Sequence, residues 1–529
     1  MTTSSPSWPP PPESHDDFER IGSFFDYQQR QEEENPYFLD EQAVKDLDFH
    51  AFFQAIDFSL SAPGQQYLYH SIRRQQVSPQ QRAELEGRIE KLEKDPDSLE
   101  AIQKSLRSLT KGIDYYFPFL IFGELPPKIR FFPLIRLAQL LILAALVAGI
   151  FYPALLFFLL IVFLGNVVLH YWHKSRIGRF VQIFSRLPRL TRTAKKLLSQ
   201  LPPDEEQAMA LHQAIKRLEK VSSKVLFLKT ENLMENDLSS IVWYLIEFIK
   251  IATLAEITTF HRLVDEIREI RGEMEEVFTY LGEVDKACAV LALRKALPYY
   301  CLPDFQEAGK QLDIQGVYHP LVADCVPNDL KLVEKSLLLT GSNMAGKSTF
   351  IKAINLSIVA AQSLNTAFAR QYQLPRLALA TSIRISDNIQ EARSYYMEEV
   401  HLMKKLLGLA KTQEIQYLFT IDEVFKGTNT IERISAAKAI LEHLNQGRHL
   451  VLVSTHDVEL TQMLAQSYEL QYFQEKVDSQ GLSFDYQLRK GALKEKNAIK
   501  ILEMEGYPDE VVSEAKKMAE RLEKKVTNE

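Results

Sequence analysis

The sequence predicts an α/β C-terminal half built on a mostly parallel sheet, preceded by a largely helical half that contains an apolar two-helix hairpin. Three observations predict it. After about residue 305, short apolar runs at 337–340, 417–421 and 450–453 are each followed by a polar motif and then a helical pattern, the alternation of a βα sheet. Between residues 178 and 297 apolar positions recur at helical spacing, as at Leu263, Ile267, Ile270 and Met274. Residues 131–150 and 153–172 form two apolar stretches, with Gly149 and Pro153 marking a tight turn between them.

Composition bounds the reading. The chain has 529 residues, 46% apolar and 25% charged, enough for several domains and a large core. A net charge of −7 excludes a global basic field that would draw the chain to nucleic acid, and leaves only local basic faces such as Arg73-Arg74 and residues 186–196. Cys288, Cys301 and Cys325 are scattered with no paired spacing, which argues against a zinc site or a disulfide framework and fits a reducing compartment.

Five segments follow. Residues 1–39 are Pro-, Ser- and acid-rich without the pattern of a signal peptide, and are expected to be disordered. Residues 40–128 are the first part of a helical core, with Phe49, Phe52, Phe53 and Ile56 on one face and Leu85, Ile89 and Leu92 on another. Residues 129–174 are the apolar hairpin, 175–304 the second part of the helical core or lever, and 305–529 the sheet domain with a charged helical tail.

Each hairpin stretch reaches the ~17–25 residues that a membrane span requires. Strong polarity enters only at Arg136, Gln139, Asn166 and His170, and basic residues flank both outer ends: Lys128 and Arg130, then Lys174, Arg176 and Arg179. The pattern predicts a transmembrane hairpin through residues 131–172 in a cytoplasmic (inner) membrane, with both termini and the sheet domain on the cytoplasmic side. The alternative is a buried hairpin in a large soluble core. Residues 241–254 carry Glu247 and Lys250 and are expected to be a buried helix rather than a third span.

The chemistry lies in the C-terminal half. Gly341, Ser342, Asn343, Met344, Ala345, Gly346, Lys347, Ser348 and Thr349 spell a full phosphate-binding loop, placed between an apolar strand and a helix. Its glycines allow backbone N–H groups to approach phosphate oxygens. Lys347 would neutralise the β- and γ-phosphates, and Ser348 would ligand Mg²⁺ at the positive end of the following helix. The strand 417–421 ends in Asp422 and Glu423, suited to hold the Mg²⁺ shell and to orient or polarise an attacking water respectively. The strand 450–453 ends in Ser454, Thr455, His456 and Asp457. Alone this could be a capped helix start, but beside the other two motifs His456 reads as a γ-phosphate contact. The ligands expected are ATP and Mg²⁺, and the expected enzyme is an ATPase.

These motifs resemble the MutS family of mismatch-repair ATPases over about residues 317–517. Asn328-Asp329, the loop from Thr340 to Thr349, Ser386-Asp387-Asn388 with residues 392–399, Asp422-Glu423 with residues 424–430, Thr455-His456, residues 486–491 and Gly506-Tyr507-Pro508 are all similar to blocks of that family. Upstream, residues 281–285 and 300–303 look like the end of its helical core, and residues 57–72 with Gly64 like the start. The resemblance implies a MutS-type ATPase domain and a homodimer of ATPase domains. Each site would be completed by the partner's Gly427, Thr428, Asn429 and Thr430. It places Cys325-Val326 where the family stacks an aromatic on adenine, making Val326 a nucleotide contact. It implies DNA binding and a mismatch-repair or related role.

The sequence departs from the family in lacking a recognisable N-terminal mismatch-reading domain with its aromatic wedge, in carrying the apolar hairpin near the expected DNA clamp, and in Phe425, Tyr395 and Tyr396. Three functions therefore stand side by side. They are a membrane-anchored, dimeric MutS-like ATPase acting on DNA, an ATP-driven membrane-associated switch that binds no DNA, and a soluble DNA-repair protein whose hairpin is core.

Overall fold

The structure, a computed structural model, describes every residue except 1–14, 31–34, 76–77, 111, 129–131, 229–236, 343–344, 385–394, 413, 426–427, 479–480, 494–497 and 528–529. The chain divides into two compact units. One comprises Met1–Glu33, Asp57–His70 and Ala83–Leu293, and the other Glu34–Ile56, Ser71–Arg82 and Arg294–Glu529.

The first unit is helical in all its described regular structure. It includes a helix at His15–Gln29, inside the segment expected to be disordered. The polar bias of the first residues hides a stripe at helical spacing: Ile21, Phe24 and Phe25 are buried, and the Phe24 ring lies 4.8 Å from that of Phe278. The apolar stretches form helices Phe132–Gly149 and Ala154–Phe184.

These two helices overturn the expectation of a transmembrane hairpin, and with it the assignment to a cytoplasmic membrane. Among the described residues no helix is long and apolar enough to cross a membrane. Three of the four polar residues that seemed tolerated interruptions, all but Arg136, are instead contacts to one neighbouring helix, Asp237–Thr253. Gln139 Nε2 donates to Thr253 O at 2.6 Å, Asn166 Nδ2 donates to Ala252 O at 2.9 Å, and His170 Nε2 lies 3.2 Å from Glu247 Oε1. Lys174 donates to the same Glu247 oxygen at 3.2 Å, while the Lys250 ammonium sits 3.9 Å from both Glu247 and Glu256. Two ammonium groups thus match two carboxylates. His170, Glu247 and Glu256 are close enough to one another to hold an ion, but their charge is already balanced, and the group serves as a polar lock among three helices. The outward faces of the hairpin, including Leu140, Phe157 and Leu164, are exposed.

A second buried polar group in this unit surrounds Asp285. Asp285 accepts from Ser61 Oγ at 2.5 Å and from Leu60 N at 2.9 Å, and Gly64 approaches so closely that a Cβ there would fall 1.8 Å from the Asp285 carboxylate. Only glycine fits at position 64. Asp57 stands nearby, accepting from Gln65 Nε2 at 2.5 Å.

The second unit is α/β. Its strands are β1 (Asp304–Phe305), β2 (Gln311–Val317), β3 (Asn328–Val333), β4 (Ser336–Thr340), β5 (Gln371–Leu374), β6 (Ala378–Ser382), β7 (Tyr417–Asp422), β8 (Leu450–Thr455), β9 (Tyr468–Tyr472), β10 (Glu475–Asp478), β11 (Gly481–Phe484) and β12 (Arg489–Lys490). Six of them form the main sheet in the order β12-β9-β4-β8-β7-β6, parallel except for β12. A smaller sheet has the order β1-β5-β2-β3, and β10 pairs with β11.

Leu337, Leu338 and Leu339 of β4 and Val451, Leu452 and Val453 of β8 are wholly buried. Unbroken apolar runs are what a parallel strand covered on both faces requires. Residues 35–56, which the sequence places with the helical core, are built into this unit. Asp46 accepts from Thr381 Oγ1, Ile383 N and Arg384 N at 2.7, 3.0 and 2.7 Å, so the short helix Glu41–Asp46 is fastened to the end of β6.

Burial pushes the Asp285 carboxyl up to about 7, with the nearby Asp57 charge adding to the rise. The folded chain therefore holds this proton where the unfolded chain, with a carboxyl near its ordinary 3.8, has lost it. Stability from this group is greatest at low pH and falls as pH rises from about 4 to above 7, by on the order of 4 kcal/mol at about 1.4 kcal/mol per pKa unit. Denaturant melts of the helical unit at pH 5 and pH 8 should show this loss. Asp285→Asn should flatten the difference, and an unchanged difference in that variant would rule out Asp285 as its source.

Candidate functional site

The site is built at the C-terminal ends of β4, β7 and β8, where a parallel sheet gathers the loops that follow its strands. β4 runs straight into Gly341, whose φ of +142° belongs to the glycine-favouring region and whose Cβ, if present, would lie 2.6 Å from Phe473 O. Gly346, at φ +103°, is the last residue before the helix Lys347–Leu364, and a Cβ there would meet the Tyr486 ring at 3.2 Å. Almost the whole helix is buried, and Asn355 Nδ2 donates to Thr420 Oγ1 at 3.0 Å, so its position is set against β7. Ala345 is buried at the start of the loop's final turn. Asn343 and Met344 lie outside the described residues.

Lys347 is 1% exposed, and its ammonium donates to Gly341 O at 2.6 Å and Ser342 O at 2.9 Å, curling under the loop. The same nitrogen lies 3.5 Å from His456 Nε2. Ser348 Oγ donates to Asp422 Oδ2 at 2.6 Å, and Ser454 Oγ makes a short hydrogen bond to Asp422 Oδ1. Glu423 follows at φ +66°, its N–H donating to Ser454 O at 2.9 Å and its Oε1 lying 3.0 Å from His456 Nε2. Lys347, Ser348, Asp422, Glu423 and His456, drawn from three separate sequence motifs, thus meet in one constellation.

Beside it lies a cavity of ≈ 480 Å³ whose walls include Cys325, Val326, Ser348, Thr349, Phe473 and Tyr486. Asn328 closes one side, with Nδ2 donating to Tyr486 O at 2.9 Å and Oδ1 accepting from Leu488 N at 2.7 Å. Thr428, Asn429 and Thr430 do not line this cavity. Asn429 instead caps the helix Thr430–Leu444 through Ile431 N, and Asn429 and Thr430 are exposed. Gly427 lies outside the described residues.

Sequence reasoning named Ser454 and Tyr486 only within larger motif blocks and gave neither a role at the site. Ser454 stands level with Asp422 only through the β7–β8 register, which no local pattern reveals. Tyr486 is an aromatic in a polar stretch and carried a legible if weak signal.

The donor set fits a nucleotide with a divalent cation. Gly341 admits no side chain and Gly346 holds a backbone that disfavours one where phosphates would approach, Ser342 Oγ is buried without a hydrogen-bond partner among the described residues, and a hydroxyl stands beside a carboxylate at the head of a helix. The arrangement defines a P-loop, ATPase-like α/β domain. Residues 337–523 match the family model described as MutS domain V.

Relatives named DNA mismatch repair protein MutS include those of Thermus thermophilus, 31% identical over 49% of this chain and 31% of their own length, and Aquifex pyrophilus, 31% identical over 50% and 32%. That of Natronomonas pharaonis is 30% identical over 49% and 31%. The region that these matches cover is similar to those MutS proteins. The chain spans about a third of the length of these curated relatives.

Gly341→Ala should lower stability by about 2 kcal/mol or more, because a left-handed backbone and a clash with main chain coincide there. Gly346→Ala, facing only a side-chain ring, should cost less. Thermal melts of the two variants in parallel check this order, and the reverse order would contradict it.

Proposed function

We propose that the C-terminal unit binds ATP with Mg²⁺ and hydrolyses it as a MutS-like ATPase. The observation that carries this reading is the Ser348–Asp422 pair beside Glu423 and His456 at the head of the phosphate-loop helix. Bound Mg²⁺ supplies charge neutralisation across the β- and γ-phosphates. The chain supplies the rest. Lys347 places a buried ammonium under the loop, and Gly341 and Gly346 give the loop the backbone that lets phosphate oxygens approach. Ser348 and Asp422 offer two oxygens for the cation, and Val326 and Tyr486 offer apolar and aromatic surface to a base. Glu423 orients and takes the proton of the attacking water, and His456, between Glu423 and Lys347, senses the terminal phosphate.

The unit acts as a homodimer in this reading, with Gly427, Thr428, Asn429 and Thr430 reaching the partner's nucleotide. The exposure of Asn429 and Thr430, and the absence of Thr428, Asn429 and Thr430 from the walls of the chain's own cavity, support that assignment. A DNA-linked role, in mismatch repair or a related transaction, is proposed from the names the relatives carry. ATP would then close the dimer and hydrolysis reopen it, as a difference in affinity between two states.

Lys347→Ala should abolish binding of a fluorescent ATP analogue. Glu423→Gln should keep binding, lower hydrolysis by two orders of magnitude or more, and accumulate a dimer with ATP in size-exclusion chromatography. Normal hydrolysis by Glu423→Gln would refute its role. The DNA link is tested by the ATPase rate with homoduplex, mismatched and branched DNA across salt concentrations. A rate indifferent to all three would remove DNA from the proposal and leave a conformational switch.

A further inference from the structure

The helix Thr430–Leu444 begins at the Asn429 cap, directly after the segment assigned to the partner's site, and its first turn carries Arg433. Arg433 reaches across to the turn after β8. Its Nε donates to Asp457 Oδ2 at 3.0 Å and its Nη2 to Asp457 Oδ1 at 2.6 Å, a two-pronged pair between residues 24 apart. Both side chains are mostly shielded, at 24% and 13% exposure, so the pair is less screened than an open surface ion pair.

Each partner is itself anchored. Arg433 N donates to Asn429 O at 2.8 Å, and Asp457 N donates to Thr455 Oγ1 at 3.0 Å. Asp457 is the immediate neighbour of His456, which touches both Glu423 and Lys347. The Arg433 guanidinium is held above its ordinary range chiefly by the Asp457 hydrogen bond, with the Asp457 and Glu423 charges adding.

We propose that Arg433 and Asp457 form a positioning clamp that joins the 428–430 segment to the turn bearing His456, so that the placement of His456 against Glu423 depends on how the partner engages that segment. The clamp rests on the ATPase reading above and adds a route by which the two sites of a dimer act on each other. Arg433 and Asp457 are positioning residues, since neither lines the cavity. A fork of two hydrogen bonds fixes both distance and angle, which a point charge does not.

The test compares wild type with Arg433→Ala, Arg433→Lys, Asp457→Ala and the exchange Arg433→Asp with Asp457→Arg. ATPase turnover, affinity for a fluorescent ATP analogue and thermal melting are measured for each, with Lys347→Ala as the control for the ATPase reading. Expected are about a tenfold fall in kcat for either alanine variant, nucleotide affinity within twofold of wild type, an intermediate kcat for Arg433→Lys, and partial recovery in the exchange. Arg433→Ala should add nothing to His456→Ala, because both act on one group.

An unchanged kcat in folded Arg433→Ala overturns the clamp while leaving the ATPase reading intact. So does a multiplicative effect of Arg433→Ala on His456→Ala, or a loss of affinity equal to the loss of turnover. If Arg433→Ala fails to fold, Arg433→Lys and the exchange variant decide by the same criteria. Absence of Lys347-dependent hydrolysis in wild type overturns both the reading and the clamp.

Discussion

The candidate site depends on a single carboxylate. Asp422 accepts a hydroxyl proton from Ser348 on one oxygen and from Ser454 on the other, so one side chain joins the head of the phosphate-loop helix to two neighbouring strands. With both oxygens engaged, the side chain has one orientation. Through Ser454 it is tied to the backbone that also receives Glu423 N–H, and so to the turn from which His456 projects. The β7–β8 register that sets Asp422 level with Ser454 is therefore as necessary to the site as the loop itself.

What the sequence reveals is what is local. The phosphate loop needs glycines at defined offsets directly after an apolar strand, and residues 337–349 hold both as one continuous stretch. The buried strands β4, β7 and β8 are legible for the same reason, because a parallel strand covered on both faces is an unbroken apolar run. The short strands β1, β5 and β12, which have no such run, are set by pairing with distant segments. Ser454 and Tyr486 also take their places from tertiary register, as does the Arg433–Asp457 pair.

The hairpin marks where the sequence misleads. Hydropathy counts apolar residues and treats the polar ones as exceptions, yet Gln139, Asn166 and His170 all find partners on the helix Asp237–Thr253. A polar residue with a buried partner and one tolerated in lipid look alike in a linear chain. The helix His15–Gln29 is the reverse case, in which surrounding Pro, Ser and acidic residues concealed an apolar stripe. In the helical unit, buried polar groups select the packing: Asp285 against Gly64 at one place, and the Glu247–Lys250–Glu256 group at another.

The stretch after β7 has a mechanical character of its own. Glu423 and Phe425, at φ +66° and +56°, both occupy a conformation that side-chain-bearing residues avoid, at a cost on the order of 1 kcal/mol each. Phe425 is 7% exposed and anchored in the hydrophobic cluster beneath the sheet, so burial of its ring holds the contorted backbone in place. The ring of Phe425 thus acts as a ballast two residues from Glu423: the same apolar burial that closes the core offsets backbone strain at the edge of the site.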